Sequence, residues 1–532
     1  MSWRECCGLS LVFAVLTVLG IWVFPGHTFL VADTQIYIPL FEHLRDGRLL
    51  NRELILEGAH LSYTIYDEVT LGLSSALNLD FSTALIGQQC FFRWMGYWGA
   101  YLLARACGMS MGAGVLTSAL LWLGAFVFGP AVITTEYEPV PRGFAVPLVV
   151  AGLGFLARGW RWPAYIVVAL AFLYHAPALW PVLLVALFLR DWRMLGTVGA
   201  AGILLLAFAT GQRGIVEAQP FFSILADGHR KIQQMRAPYN WITTWPWRWW
   251  AQYLVTGPLA IVAYRRVRTV LPESVRPYFE WMPWIGLVTM PLSYLLLEKL
   301  GWALMPQVQP MRALLYCHLF CQLLAAIAAW LEIREGKWLR AFAWMVVPLS
   351  LSMRGDLLLI PAGEWWKQWT LLALLGAAIW IAVRWPRRGL AWAAAFSLSL
   401  FLGVGLDARG FRPTDTSAVD QLAAWAKEKT PVESMFLFGD LGRKIEPGIF
   451  RARAARAVYV CWKQGGQVNY FPRYSEIWYE RWKNLIAPNA PPLELADLQR
   501  RGINYLVLTK DVPKADLQAV YISPTYRVYR IP

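Results

Sequence analysis

Asp33 follows the first membrane-length apolar run by a few positions and lies at the head of the polar segment 31–51 (VADTQIYIPLFEHLRDGRLLN). A carboxylate at the rim of a bilayer span faces water or a substrate, where it can take a proton from a hydroxyl or hold a cation. Glu136 and Glu138, in TTEYEPVPR, supply two more carboxylates from a second loop. With Asp33 they are the candidate ligands for Mg²⁺ or Mn²⁺, water completing the shell. Arg142, Arg236 and Arg312, and less surely Arg230 with Lys231, offer guanidinium or ammonium groups. A guanidinium stays charged and presents a planar fork of donors suited to phosphate. Gln307 and Gln309 beside Arg312 add neutral hydrogen bonds of the kind sugar hydroxyls accept, and His175, in YHAPALWP, is an ionisable group at a span boundary.

Each of these residues has a plainer reading. Asp33 is a favoured residue for capping a helix that begins at Thr34. Glu136 and Glu138 fit a solvated loop, Arg312 fits a side chain snorkelling to the interface, and His175 fits a hydrogen bond to a neighbouring helix. Asp356 and Glu364, in RGDLLLIPAGEWW, read only as loop carboxylates.

The elements that must position these groups are membrane spans. A 532-residue chain with 57% hydrophobic and 16% charged residues and a mean hydropathy of +0.42 is a polytopic membrane protein. Its 30 Trp and 22 Tyr suit repeated crossings of the headgroup layer. Apolar runs at 9–24, 84–106, 113–133, 143–156, 164–174, 179–189, 197–210, 253–263, 282–297, 313–331, 341–351, 370–383 and 391–406 predict about thirteen spans. The first is a retained span, because no small-residue cleavage site follows it. His-Ala-Pro at 175–177 interrupts the shortest region and predicts a broken or re-entrant helix there. Seven scattered cysteines show neither zinc-ligand spacing nor a disulfide framework.

Arginines at 158, 161, 190, 193, 265, 266, 268, 334, 340, 384, 387 and 388, with Lys337, fall on one side of that span count, which makes that side and the N-terminus cytoplasmic. The Asp33 loop (27–80), Glu136, Glu138, Arg142, His175, Arg236, Gln309 and Arg312 then face outward, as does everything beyond 406. The loop 211–248 is unusually basic for that side; its arginines and tryptophans suit either an anionic lipid head or headgroup anchoring. The net charge of +15 follows from this sidedness and calls for no nucleic acid.

The tail is polar enough to fold in water, which divides the chain into a transmembrane domain (1–410) and an extracytoplasmic α/β domain (411–532). Residues 417–427, 475–483 and 493–500 have helical patterns, whereas 434–438 (SMFLF), 457–461 (AVYVC), 505–509 (YLVLT) and 526–531 read as strands. No phosphate-binding glycine loop or nucleophile elbow is present. Trp462, Lys463, Glu476 and Arg481 either reach a substrate from above or pack inside this domain.

An acidic residue behind the first span, the amphipathic stretch 37–50, about thirteen spans and an outward α/β tail together resemble the GT-C superfamily of membrane glycosyltransferases. The likeness to uncharacterised bacterial members rests on ADTQIYIPL (32–40), QVQPMRALLY (307–316) and a tail with TP…SMFLF, AVYVCWK and EIWYERW. The resemblance implies a bacterial inner-membrane enzyme that moves a hexosyl or pentosyl unit from a polyprenyl-phosphate donor to an extracytoplasmic lipid, glycan or protein. It further implies Asp33 as the catalytic residue, with Arg312, Arg236, His175, Arg142, Gln309 and Tyr37 around substrate and phosphate. Thr34 departs from the commoner pattern, in which a second acid follows the first, and this weakens the metal site of Asp33, Glu136 and Glu138. A transporter or flippase of lipid-linked or anionic solutes, and a non-catalytic scaffold of the same fold, are the alternatives. A transporter predicts internal repeats and polar groups at the midplane, but the sequence shows no repeat and concentrates its ionisable groups at one face.

Overall fold

The computed structural model describes residues 2–56, 64–210, 220–352, 414–509, 517 and 519–532, with isolated positions between 373 and 380. The predicted spans 370–383 and 391–406, Asp356, Glu364 and the 410/411 division lie outside the described residues. The molecule is a bundle of apolar helices with a small α/β unit on one end.

Helix α1 (Trp3–Trp22) starts with a capping box, Ser2 Oγ accepting from the Glu5 amide and the Glu5 carboxylate from the Ser2 amide. After it come α2 (Thr34–Arg45), α3 (Tyr66–Leu77) and α4 (Phe81–Ala106), the last capped by Asp80 through the Thr83 amide at 2.8 Å. Helices α3 and α4 meet at a bend of 112°. Helices α5 (Met111–Leu121), α6 (Pro141–Ala157), α7 (Arg161–Phe188) and α8 (Trp192–Thr210) continue the bundle. Beyond α8 lie α9 (Asp227–Arg236), α10 (Trp247–Val267), α11 (Arg276–Ser293), the short α12 (Met305–Val308), α13 (Leu314–Arg334) and α14 (Trp338–Ser352). Large apolar side chains on outer faces stay exposed, among them Leu11 at 67%, Ile203 at 70% and Leu254 at 77%, an arrangement that lipid accepts and water penalises. Helix α13 is apolar all round and correspondingly central, buried along nearly its whole length.

Helices α4 and α6 approach backbone to backbone where Gly99 faces Gly154 and Ala151. A Cβ on Gly99 would lie 2.4 Å from the Ala151 Cα, and one on Gly154 would lie 2.3 Å from the Gly99 oxygen. Without a hydrophobic drive between helices in lipid, such close contact supplies much of the association. Gly99→Val is therefore expected to force the pair apart and to destabilise the protein by about 1–3 kcal/mol, the usual range for overpacking. The check is a thermal melt in detergent, in which Gly87→Val, whose Cβ meets nothing within 4 Å, serves as the control.

One predicted span takes another form, and the predicted break at 175–177 is a full reversal. The run 113–133 is not one span: α5 stops at Leu121, and Phe126–Val127 (β1) pairs antiparallel with Val132–Ile133 (β2). Gly129, at φ +96° with the Trp245 ring against its α-carbon, makes the turn. The predicted runs 164–174 and 179–189 are the two arms of α7, which doubles back at His175 (φ −158°, ψ 80°). Tyr165 near its start donates to Asp191 just past its end at 2.9 Å, and Arg161 and Arg190 line one cavity with Glu273.

That contact gathers the basic loops at one end of the bundle. Ser274 donates to the Leu156 carbonyl at 2.8 Å, and Arg266 pairs with Glu332 at 2.7 Å, which brings in the ends of α6, α10 and α13. The His175 turn lies at the opposite end, beside the α/β unit. There β4 (Ala457–Val458), β3 (Met435–Phe438) and β5 (Tyr505–Leu508) run parallel, and β7 (Arg527–Arg530) and β6 (Ala519–Ile522) extend the sheet antiparallel in the order β4-β3-β5-β7-β6. Helices Ser417–Lys429, Glu446–Ala454, Pro472–Leu485 and Leu495–Arg500 cover it.

Candidate active site

A cavity of about 360 Å³ lies between the bundle and the α/β unit. Asp33, Tyr37, Glu136, Glu138, Arg142, His175, Arg236, Gln309 and Arg312 all line it. They arrive from separate elements: the start of α2, the β2–α6 loop, the start of α6, the α7 turn, the end of α9 and the α12–α13 junction. Lys463, Gln467 and Tyr470 enter from the α/β unit, and Tyr239 from the segment after α9.

Asp33 occupies the N-cap position of α2 yet makes no side-chain capping bond. That task belongs to Glu138, fully buried on the opposing loop. Its Oε1 accepts from the amides of Val31 at 2.7 Å and Ala32 at 2.5 Å, and its Oε2 from Thr34 at 3.1 Å. Thr34 adds a local turn, its Oγ1 accepting from the Leu30 amide at 2.8 Å. With the helix start satisfied from outside, the Asp33 side chain turns into the cavity. There its Oδ1 lies 2.8 Å from Lys463 Nζ. The side chain is 41% exposed and lines the cavity. Burial pushes its carboxyl up, but the Lys463 ammonium, its hydrogen bond and the charges of Arg142 and Arg312 prevail, and the group is held well below the usual carboxylate range.

Glu136 pairs with Arg142 at 2.5 Å, both side chains largely buried. Gly143 packs against the Glu136 Cβ, where its own Cβ would come within 2.9 Å, and the Glu136 carbonyl accepts from Gln89 at 3.1 Å and from the buried Arg93. The three acidic residues are thus committed: Glu138 to three amides, Glu136 to Arg142 and Asp33 to Lys463. No group of three His, Cys, Asp or Glu able to hold a metal occurs among the described residues. The donor set does not fit a divalent cation, and no step below is routed through one.

Two cations in the cavity have no carboxylate partner among the described residues. Arg236 donates from Nε to the Trp462 carbonyl at 3.1 Å and stacks on the Trp462 ring at 4.8 Å. Arg312 has a buried Nε with no hydrogen-bond acceptor among the described residues. A guanidinium withdrawn from water without an anion costs several kcal/mol, a cost that an anionic ligand reverses. Gln309 supports this end of the site in a left-handed conformation (φ 51°, ψ 56°), where Pro310 behind it disfavours the ordinary helical one. Its buried Oε1 has no hydrogen-bond partner among the described residues, nor has His175 Nε2 at the α7 turn, and both residues line the cavity. Tyr37, Tyr137, Tyr174, Tyr239 and Tyr470 supply the aromatic walls.

Sequence reasoning placed Lys463 among residues that could reach substrate from above or pack, and the structure divides it from its neighbour. Trp462 packs, its ring 5.8 Å from Trp478 and 5.3 Å from Trp482, whereas Lys463 crosses to Asp33. Tyr239, Gln467 and Tyr470 carry no signal in the sequence that sets them apart from other polar loop residues. Arg230 stays outside the cavity, stacked 5.2 Å from the Trp241 ring and bonded to the Glu298 carbonyl.

The site and its frame define a helical membrane protein with a cation-rich cavity between the bundle and an α/β unit. No protein-family model matches the sequence, and no curated protein matches it. Among solved structures, the chain is similar to apo ArnT from Cupriavidus metallidurans, at 11% identity over 99% of this chain and 98% of that one, with a TM-score of 0.48. The same protein bound to undecaprenyl phosphate matches at 13% identity over 100% and 99%, with a TM-score of 0.46. The arabinofuranosyltransferase AftD from Mycobacteria matches at 14% over 100% of this chain and 40% of its own, with a TM-score of 0.42.

Proposed function

We propose that the protein is a membrane glycosyltransferase that takes a sugar from a polyprenyl-phosphate donor and passes it to an acceptor hydroxyl on the side of the α/β unit. The observation that carries this reading is the meeting, in one cavity, of a carboxylate that makes no capping bond and two guanidiniums that have no carboxylate partner among the described residues. The acceptor hydroxyl loses its proton to Asp33 as its oxygen attacks the anomeric carbon. The bond from that carbon to the phosphate oxygen breaks, and its electron pair stays on the phosphate. Arg312 and Arg236 neutralise that growing charge from fixed positions, which is worth most where water is excluded. The basic end of the bundle is the cytoplasmic one, so transfer occurs on the outer face of the inner membrane.

Arg312→Gln tests this assignment. Loss of a charge-assisted bond of about 1.5–3 kcal/mol lowers kcat/KM for the lipid-linked donor roughly 10- to 100-fold. The melting temperature stays level, because the arginine has no carboxylate partner among the described residues in the free protein. A variant that melts earlier but transfers sugar normally makes Arg312 a structural residue and removes it from the site.

A further inference from the structure

Lys463 is delivered to the cavity by a backbone that is fixed on both sides of it. Before it, Trp462 packs against both Trp478 and Trp482, with Arg443 stacked 4.3 Å from its ring. After it, Gln464 is fully buried, accepting from the Cys461 amide at 2.7 Å, donating to the Val458 carbonyl at 2.9 Å and donating also to Glu53. The fixed backbone leaves only the lysine's own side-chain torsions to move its ammonium, a point charge with three rotatable donors. Its contact with Asp33 spans 430 residues of chain and opens onto the same cavity as Arg312 and Arg236.

We propose that Lys463 is a shared cation: it neutralises Asp33 in the free protein and transfers to the donor phosphate when that phosphate enters between Arg312 and Arg236, uncovering Asp33 as the base. The proposal rests on the glycosyl-transfer reading above and adds to it a phosphate ligand from the α/β unit and a reason for the two to be coupled. Charge balances at each stage. The ammonium leaves one anion for another, and the freed carboxylate receives the acceptor proton. A carboxylate pressed far below the working pH is a poor base, so release by the arriving donor confines its basicity to the loaded state. The other titratable groups facing Asp33 are Arg142, Arg236, Arg312, His175, Tyr37, Tyr137, Tyr470 and Glu138; Glu138 is committed to amides and Arg142 to Glu136, which leaves Lys463 as the ion pair that exchanges without breaking the loop.

The test is equilibrium binding of undecaprenyl phosphate in detergent micelles to the full chain and to K463Q, K463R, D33N and R312Q. Exchange predicts opposite signs: K463Q binds about tenfold more weakly, D33N binds at least as tightly as wild type, and K463R stays close to wild type. If Lys463 only latches the α/β unit to Asp33, breaking the pair from either side acts alike, and D33N weakening in step with K463Q overturns the proposal. So does K463Q binding equal to wild type while R312Q binds weakly, which leaves the phosphate site standing. Wild type and R312Q that both fail to distinguish the phosphate lipid from the uncharged polyprenol overturn the glycosyl-transfer reading together with the proposal.

Discussion

Asp33→Asn is expected to reduce sugar transfer by roughly 10²- to 10⁴-fold, the usual contribution of a positioned general base, with little change in folding. The size follows from the chemistry: asparagine keeps the shape of the side chain but cannot take the acceptor proton. The small cost in stability follows from the geometry. Asp33 makes no capping bond, since Glu138 holds the start of α2. Its one ion pair, with Lys463, is partly exposed to the cavity, and pairs of that kind contribute about 0–1 kcal/mol. Glu138→Gln is the informative contrast. It leaves the cavity-facing carboxylate in place but weakens the cap, so it should lower stability and disorder the position of Asp33. The two variants therefore separate in a thermal melt while converging in activity.

The second large effect lies beneath the cavity. Arg451 and Glu53 are both fully buried and joined at 3.0 Å, one from the helix Glu446–Ala454 and the other from the loop after α2. Arg451 also donates to the Gln35 carbonyl at 2.7 Å, and Glu53 accepts from the Val458 amide at 2.9 Å. Arg451→Met strands the Glu53 carboxylate in a dry interior, a change that costs about 3–5 kcal/mol. The double variant with Glu53→Leu removes the stranded charge and is expected to recover much of that loss, although the amide of Val458 then lacks its acceptor. Detergent thermal unfolding of the two singles and the double measures this. Additive losses in the double would show that the pair is no unit. Because Gln464 bonds to Glu53 and precedes the cavity-lining Gly466, the single variants should also displace Lys463 and impair donor binding.

Much of the cavity lining was legible because a bilayer makes ionisable residues conspicuous. Asp33, Arg142, His175 and Arg312 each interrupt or border an apolar run, and such residues gather where water or substrate enters. What a single sequence does not separate is two carboxylates of like setting: Glu138 serves the backbone of another loop, and Asp33 is thereby relieved of the cap its own position suggests. Lys463 was harder to single out because the tail holds many similar lysines and arginines, and only the three-dimensional path of the turn after β4 aims this one at α2. In the bundle, the sequence placed the apolar segments and the break at 175–177, but not the early end of α5. The hairpin of β1 and β2 depends on Gly129 and its contact with Trp245, which no local pattern announces, whereas α7 returns at His175, where His-Ala-Pro predicts a break. In the tail, β3, β4, β5 and β7 coincide with predicted strands, whereas β6 has an exposed, mixed pattern at the sheet edge that leaves little periodic signal.

The central claim is that the cavity breaks the bond between sugar and lipid phosphate instead of passing the intact molecule through the membrane. Purified protein in liposomes, supplied with a polyprenyl-phosphate donor labelled separately in the sugar and in the lipid, measures this directly. The account predicts that the two labels part, the sugar moving to an acceptor and the lipid remaining as free phosphate, and that Asp33→Asn keeps them together. Labels that stay joined in the wild-type protein while the donor crosses the bilayer would contradict it.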